Sequence, residues 1–416
     1  MNSVTSPGFP NQGVQTSDNV VHIIGAGPVG LLLAALFQSM DKFSVRLYEK
    51  RPEYKRTRMV KLSEYLIADS VESYCNDYID GENIAAVFDI EELEESLGYR
   101  QKLPPDLVAL FQNWVQGFCP LNAIEMALSK LINERGLNPV ERIETNMTLE
   151  ELKTMFRPGE IVIDSTGCKS LLRDSLIPGP DSGKRDANTF NVHLENAIVV
   201  TFVYGQHYLC NEYCKYAKNT ENQRYKFIPA VDRTCYDGNL SFVSGIVNIT
   251  DADFEAMPPT FDGEWLRLHF PEVAESMDRF INKVKQETHG EIIGNLEAVR
   301  IPLNLYRARN VTSRNWLAEE FKGHQFSSSP LFLVGDSALG SPYFQSISLG
   351  MECAIHLAGL IGQRGLSLTE IFNRYELFVY KQWLRVYMRS KMIKHNKDLF
   401  ESLDAPLRML ELLHIY

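Results

Sequence analysis

Three glycine turns, far apart in the chain, each follow a short apolar run, and their residue types suit the parts of one dinucleotide. They lie in Val20–Gly30, Ile161–Gly167 and Leu331–Ser337. In the first, Gly25 permits a tight turn, Gly27 leaves the backbone bare for a pyrophosphate, and Gly30 lets the next helix pack close to the strand. Pro28 and Val29 open that helix, whose free N–H groups and partial positive charge suit phosphate. Glu49 closes the following strand about 20 residues past the glycines, where a carboxylate accepts hydrogen bonds from a ribose. An acid there favours a free 2′-hydroxyl, so the adenosine part belongs to FAD or NAD rather than NADP. Three such runs in this order predict a two-part dinucleotide held across one parallel sheet, and so a redox enzyme.

From Val20 to Gly359 the chain resembles the FAD-dependent hydroxylase superfamily, the group containing para-hydroxybenzoate hydroxylase and the MICAL monooxygenase domains. Glu49-Lys50-Arg51 resembles that family's acidic-basic end of the second strand, and Arg51 and Arg58 fall where such proteins carry arginines near adenosine and flavin. Asp164–Arg173 resembles the mid-chain Asp-Gly motif, with Gly167, Ser170 and Arg173 in register and Thr166 where the family usually has aspartate. Gly335-Asp336-Ser337 resembles the late Gly-Asp motif, whose aspartate bonds the ribityl chain. Pro342 and Gly350 match a loop leading into a helix aimed at the isoalloxazine ring. A helix starting near Ser346 or Ser348 would turn N–H groups toward the flavin's pyrimidine edge. Asn122 is the nearest counterpart of a flavin-contacting Arg or Gln.

The resemblance implies an α/β fold: a Rossmann-like FAD-binding domain with a parallel sheet, an antiparallel β-sheet substrate domain and a C-terminal helical region. It implies a flavoprotein monooxygenase that hydroxylates an aromatic or other apolar small molecule through a flavin hydroperoxide. No second glycine unit for a nicotinamide is present, so NAD(P)H is expected to dock transiently as reductant. Two alternatives stay open: a reductase or dehydrogenase of the same superfamily, and a non-catalytic FAD-binding module. A halogenase fits less well, since Ile228-Pro229 is preceded by neither tryptophan of the Trp-x-Trp-x-Ile-Pro motif.

The elements that must position these residues follow from pattern. The FAD-binding domain is expected in three pieces, 20–75, 118–185 and 330–362, with a helical insertion at 76–117. Residues 186–329 are β-rich, with runs at Ala197–Tyr204, Tyr225–Ala230 and Leu240–Ile249. Their aromatic and histidine residues supply the catalytic candidates His193, His207 and Tyr204, a histidine being able to move a proton near neutral pH. Residues 363–416 read as helices, where Lys381, Arg385 and Arg389 recur every four residues and suggest a face for an acidic partner.

Composition bounds the rest. A length of 416 residues exceeds one ordinary core, and 44% apolar content is normal for a globular chain. A net charge of −11 argues against nucleic acid. No apolar run is long enough to span a bilayer. Residues 1–19 read as a flexible polar tail without the pattern of a signal peptide. Seven cysteines in no paired spacing fit neither a disulfide framework nor a metal site, and the expected location is cytoplasmic.

Overall fold

The computed structural model describes residues 19–75, 87–136, 139–146, 148, 151, 157, 159–176, 189–205, 225–232, 240–313, 329–341 and 346–412, with side chains through 391 in the last helix. Its first layer is a parallel sheet of five strands. β1 (Asn19–Ile24) lies at the centre, with β2 (Phe43–Glu49) and β5 (Glu141–Glu144) on one side. β6 (Ile161–Asp164) and β12 (Leu331–Leu333) lie on the other. Three of the five are the apolar runs that end in glycine turns. They are buried on both faces, which is why they read as continuous hydrophobic stretches rather than alternating ones. Helix α1 (Pro28–Gln38) is buried from Gly30 onward and packs against β2, α5 (Leu121–Glu134) and α10 (Ser346–Gly362). That burial explains its lack of a polar face.

The second layer is an antiparallel sheet in the order β10-β11-β7-β9-β8. β7 (Thr189–Tyr204) and β11 (Ile292–Ala308) pair along their lengths, with register shifts between Ile293 and Glu297 and between Leu303 and Asn304. β8 (Phe227–Val231) and β9 (Ser241–Ile249) extend one side, and β10 (Thr260–Asp262) the other. The amphipathic helix α9 (Pro271–Thr288) closes a separate core with Val273, Met277, Ile281 and Val284 against Ile198, Val200 and Phe202. Tyr204 belongs to that core and is fully buried. The two layers meet where β11 pairs with β13 (Leu339–Gly340), just past the Gly335 turn. A short ribbon, β3 (Met59–Lys61) with β4 (Phe118–Pro120), packs against β8 and β9. The architecture is thus α/β with a parallel sheet, a second antiparallel sheet and a helical C-terminal region.

Helices α3 (Ile90–Arg100) and α4 (Pro105–Trp114) occupy the expected insertion, and α11 (Leu368–Leu412) is a single helix of 45 residues. The basic repeat on α11 does not form a free edge. Lys381 pairs with Glu92 of α3, and Arg385 is fully buried. Arg385 Nη2 lies 3.3 Å from Glu352 Oε2, while Arg100 Nη2 donates to Glu352 Oε1 at 2.8 Å and the Tyr74 hydroxyl donates to the same oxygen. One buried carboxylate on α10 therefore binds two guanidiniums from two other helices. Among the described residues no helix is long and apolar enough to cross a membrane.

Removing one member of such a cluster leaves buried charge uncompensated. Glu352→Gln is expected to destabilise the protein by about 3–5 kcal/mol, read as a lower midpoint in urea unfolding with an unchanged slope.

Candidate functional site

A cavity of about 490 Å³ runs along the carboxyl ends of all five parallel strands. Thr145 and Asn146 line it past β5, Glu49 and Lys50 at the end of β2, and Gly25 and Gly27 past β1. Ser165 to Gly167 follow past β6, and Val334 and Asp336 past β12. Four inter-strand gaps make that path roughly 19 Å long, which suits an extended dinucleotide better than a mononucleotide.

The centre of the cavity is built by close backbone approach. Gly25 has φ +100°, and its carbonyl oxygen accepts from Ser165 Oγ at 2.8 Å. A Cβ on Gly30 would lie 1.9 Å from that same carbonyl, so only glycine lets α1 begin so close to the turn. The Val29 side chain fills the space between Gly335 and Gly350. Asp164 is buried but directs the second turn. Its Oδ1 accepts from the Thr166 backbone N–H at 2.8 Å and the Thr166 hydroxyl at 2.7 Å, and its Oδ2 accepts from Ser170 Oγ at 2.6 Å. Burial raises its pKa, opposed by these hydrogen bonds. Arg173, also buried, donates to the Cys168 carbonyl at 2.6 Å and the Ser337 carbonyl at 3.0 Å, tying the second turn to the third.

At one end, Glu49 Oε2 accepts from the Ala26 N–H at 2.8 Å and Oε1 from the Arg51 N–H at 3.0 Å. Its carboxylate keeps further lone pairs for hydroxyl donors. At the other end, Ser346 Oγ donates to Asp336 Oδ1 at 2.5 Å, and the Tyr306 hydroxyl donates to the Asp336 carbonyl at 2.6 Å. The Asp336 carboxyl is open to the cavity yet sunk among protein atoms. That burial raises its pKa, while the Ser346 hydroxyl and then Arg58 and Arg56 oppose the rise. Arg58 is likewise accessible but enclosed; burial lowers its pKa and Asp336 pulls the other way. Lys50, Arg51, Arg56, Arg58 and Lys169 all line the cavity, so its polar wall is mainly cationic between the two acidic ends. The first turn of α10, at Ser346 and Ile347, completes the Asp336 end.

Of the residues expected at the site, Gly25, Gly27, Pro28, Val29, Glu49, Lys50, Arg51, Arg58, Thr166, Gly167 and Asp336 line this cavity. Gly30, Gly335 and Gly350 lie just behind it as packing positions. Four expected residues lie elsewhere. The Asn122 side chain does not line the cavity; its backbone N–H donates to the Arg56 carbonyl at 2.8 Å and its Oδ1 is buried without a hydrogen-bond partner. Ser348 is buried, and its Oγ accepts from the Ser63 N–H, so it anchors the segment after β3 instead. His193 is exposed on β7 and bonded to Asn304 Oδ1 at 2.9 Å, and Tyr204 is packed in the second core. Pro342 and His207 lie outside the described residues. Sequence reasoning missed Arg56, Thr145 and Asn146. Arg56 was hidden in a run of basic residues, and the strand before Thr145 carries no apolar signal. Among the described residues, no group of His, Cys, Asp or Glu could hold a metal ion.

No protein-family model matches the chain, and no curated protein matches it either. Solved structures do. CtdE in complex with FAD and its substrate 4 aligns with a TM-score of 0.50 at 13% identity, over 90% of this chain and 89% of that one. The tetracycline destructase Tet(51) aligns at 0.49 and 12% identity, over 95% and 96% of the two chains. The anhydrotetracycline hydroxylase OxyS from Streptomyces rimosus aligns at 0.46 and 15% identity, over 95% and 72%. At these identities the likeness to CtdE is one of fold.

The glycine contacts give a paired test. Gly30→Ala should cost about 3 kcal/mol or more, because the clash is with backbone. Gly98→Ala, on α3 with open space around the added methyl, should gain about 0.5–1 kcal/mol. Chemical denaturation of both variants reads the contrast.

Proposed function

We propose that the chain binds FAD along this cavity and works as a monooxygenase, hydroxylating an aromatic or other apolar small molecule with NAD(P)H as reductant. One observation carries the reading: a cavity crossing five strand ends, acidic at Glu49 and Asp336 and cationic between them. The residues present fit the group. Bare backbone at Gly27 admits a pyrophosphate, and Arg56, Arg58 and Lys169 offer it charge. CtdE carries FAD on this same fold, which supports the choice of dinucleotide.

When bound, FAD would supply the electron transfer and oxygen activation. The chain's own residues do the rest. Glu49 would hold the ribose and Asp336 the ribityl chain, each as a hydrogen-bond acceptor. The start of α10, at Ser346 and Ile347, lines the cavity, and the partial positive charge of a helix N-terminus favours negative charge beside it. The Tyr306 hydroxyl holds the Asp336 backbone and so fixes the turn that presents the carboxylate. Substrate is placed against the antiparallel sheet, which joins the cavity rim through β11 and β13. No side-chain base is assigned: His193 and Tyr204 stand outside the cavity.

The purified protein, supplied with FAD, should show flavin absorption that NADH or NADPH bleaches under argon, and oxygen uptake should rise when substrate is added. Asp336→Ala should weaken FAD binding at least tenfold. Bleaching without oxygen uptake would move the reading to a reductase. Protein that stays colourless in excess FAD would end it.

A further inference from the structure

We infer that Glu125 is a positioning residue that holds the Arg56 guanidinium over the bare Gly27 backbone, ready to close on the pyrophosphate of the dinucleotide. The inference rests on the reading of the cavity as an FAD site and adds to it the residue that prepares the phosphate contact.

Helix α5 buries a stripe formed by Leu121, Ile124, Leu128 and Ile132. Glu125 lies on that stripe and is 0% exposed, at a position where the helical period calls for an apolar residue. An ionised carboxylate there carries a large desolvation penalty, and nothing in helix packing requires it. Its Oε1 pairs with Arg56 Nη2, while its Oε2 is buried with no hydrogen-bond partner. Burial raises the Glu125 pKa, and Arg56 is the main group opposing that rise, with Arg51 helping and Glu49 working against it. Arg56 is thus the main group favouring the charged form of this buried carboxylate.

Arg56 is built differently. Its side chain is 42% exposed and lines the cavity. The same Nη2 lies 3.4 Å from where a Cβ on Gly27 would stand, so the guanidinium covers the place that the missing side chain leaves open. Backbone bonds hold its segment against the start of α5: Asn122 N–H donates to the Arg56 carbonyl and Leu121 N–H to the Arg58 carbonyl. The pair is thus a fixed, buried carboxylate gripping a guanidinium that also reaches solvent. A free surface arginine would lose its rotamer freedom on meeting a phosphate; here Glu125 has already removed that freedom. Guanidinium donors remain for phosphate oxygens on the cavity side, since one N–H satisfies Glu125. With Asn122 turned away, Arg56 brings to the start of α5 a cation that the helix itself lacks.

The asymmetry of the pair chooses the test. Arg56 can be solvated when its partner is lost, so Glu125→Gln should fold; Glu125→Met, apolar and of similar volume, is the second variant if its melting transition is lost. FAD, ADP and adenosine are titrated into the apo-protein by calorimetry. We expect Glu125→Gln to weaken FAD and ADP about tenfold and adenosine less than twofold, because only the first two carry the pyrophosphate. Arg56→Gln should weaken FAD and ADP at least as much, and adding Glu125→Gln to it should cause no further loss. The inference fails if FAD affinity in Glu125→Gln stays within twofold of wild type, if adenosine weakens as much as ADP, or if the two single losses add. Wild-type protein that binds no FAD would instead overturn the reading of the cavity itself.

Discussion

The whole site depends on one steric constraint: the first glycine turn, the start of α1 and the second turn approach one another more closely than a side chain at Gly25 or Gly30 would allow. The Gly25 carbonyl takes the Ser165 hydroxyl from one side and the start of α1 from the other, with no room for a Cβ on Gly30. Val29 then fills the gap between Gly335 and Gly350, bringing the third turn and helix α10 to the same point. These segments are more than a hundred residues apart in sequence. The Ser165 hydroxyl and the Val29 side chain hold them together, so the relative placement of the three strand ends is fixed without reference to any ligand. A cavity made this way is preorganised, and binding need not order its walls.

Two buried carboxylates near the cavity show different uses of the same costly group. Asp164 spends its oxygens on the Thr166 N–H, the Thr166 hydroxyl and Ser170 Oγ. It is well satisfied and shapes a turn. Glu125 has one oxygen paired and one without a hydrogen bond, and its partner reaches the cavity. Hydrogen-bond accounting thus separates the group that builds the wall from the one that prepares a contact. Glu352 follows the first pattern at a distance, joining α3, α10 and α11 through Arg100 and Arg385.

The fold was legible in the sequence because its decisive signals are local. A β-branched run, a glycine turn and an apolar helix follow one another within a few residues, and Glu49 falls at a fixed distance beyond. What was not legible depends on distant partners. Lys381 and Arg385 share a spacing with Arg389, yet their directions are decided by Glu92 and Glu352, far away in sequence. Asn122 occupies the expected turn of α5, but Arg56 enters the cavity from the neighbouring segment. Tyr204 looked like a pocket aromatic, and it is buried in the separate core that the antiparallel sheet forms with α9. Ser348 shows the limit of register: its neighbour Ile347 lines the cavity, while its own hydroxyl points back to Ser63.

The second sheet is more than a lid laid on a finished site. β11 carries Tyr306, whose hydroxyl holds the Asp336 carbonyl, and pairs through Tyr306 and Arg307 with β13 just beyond that turn. A Cβ on Gly340 would strike the Tyr306 ring, so the ring is clamped between the turn and its own strand partner. Any shift of β11 along its long pairing with β7 must therefore move the backbone that presents Asp336. The register shift between Leu303 and Asn304 lies three residues before Tyr306, within the strand that transmits this coupling. Tyr306 thus ties the antiparallel sheet to the turn that carries Asp336, so the two sheets share one rigid connection beside the cavity.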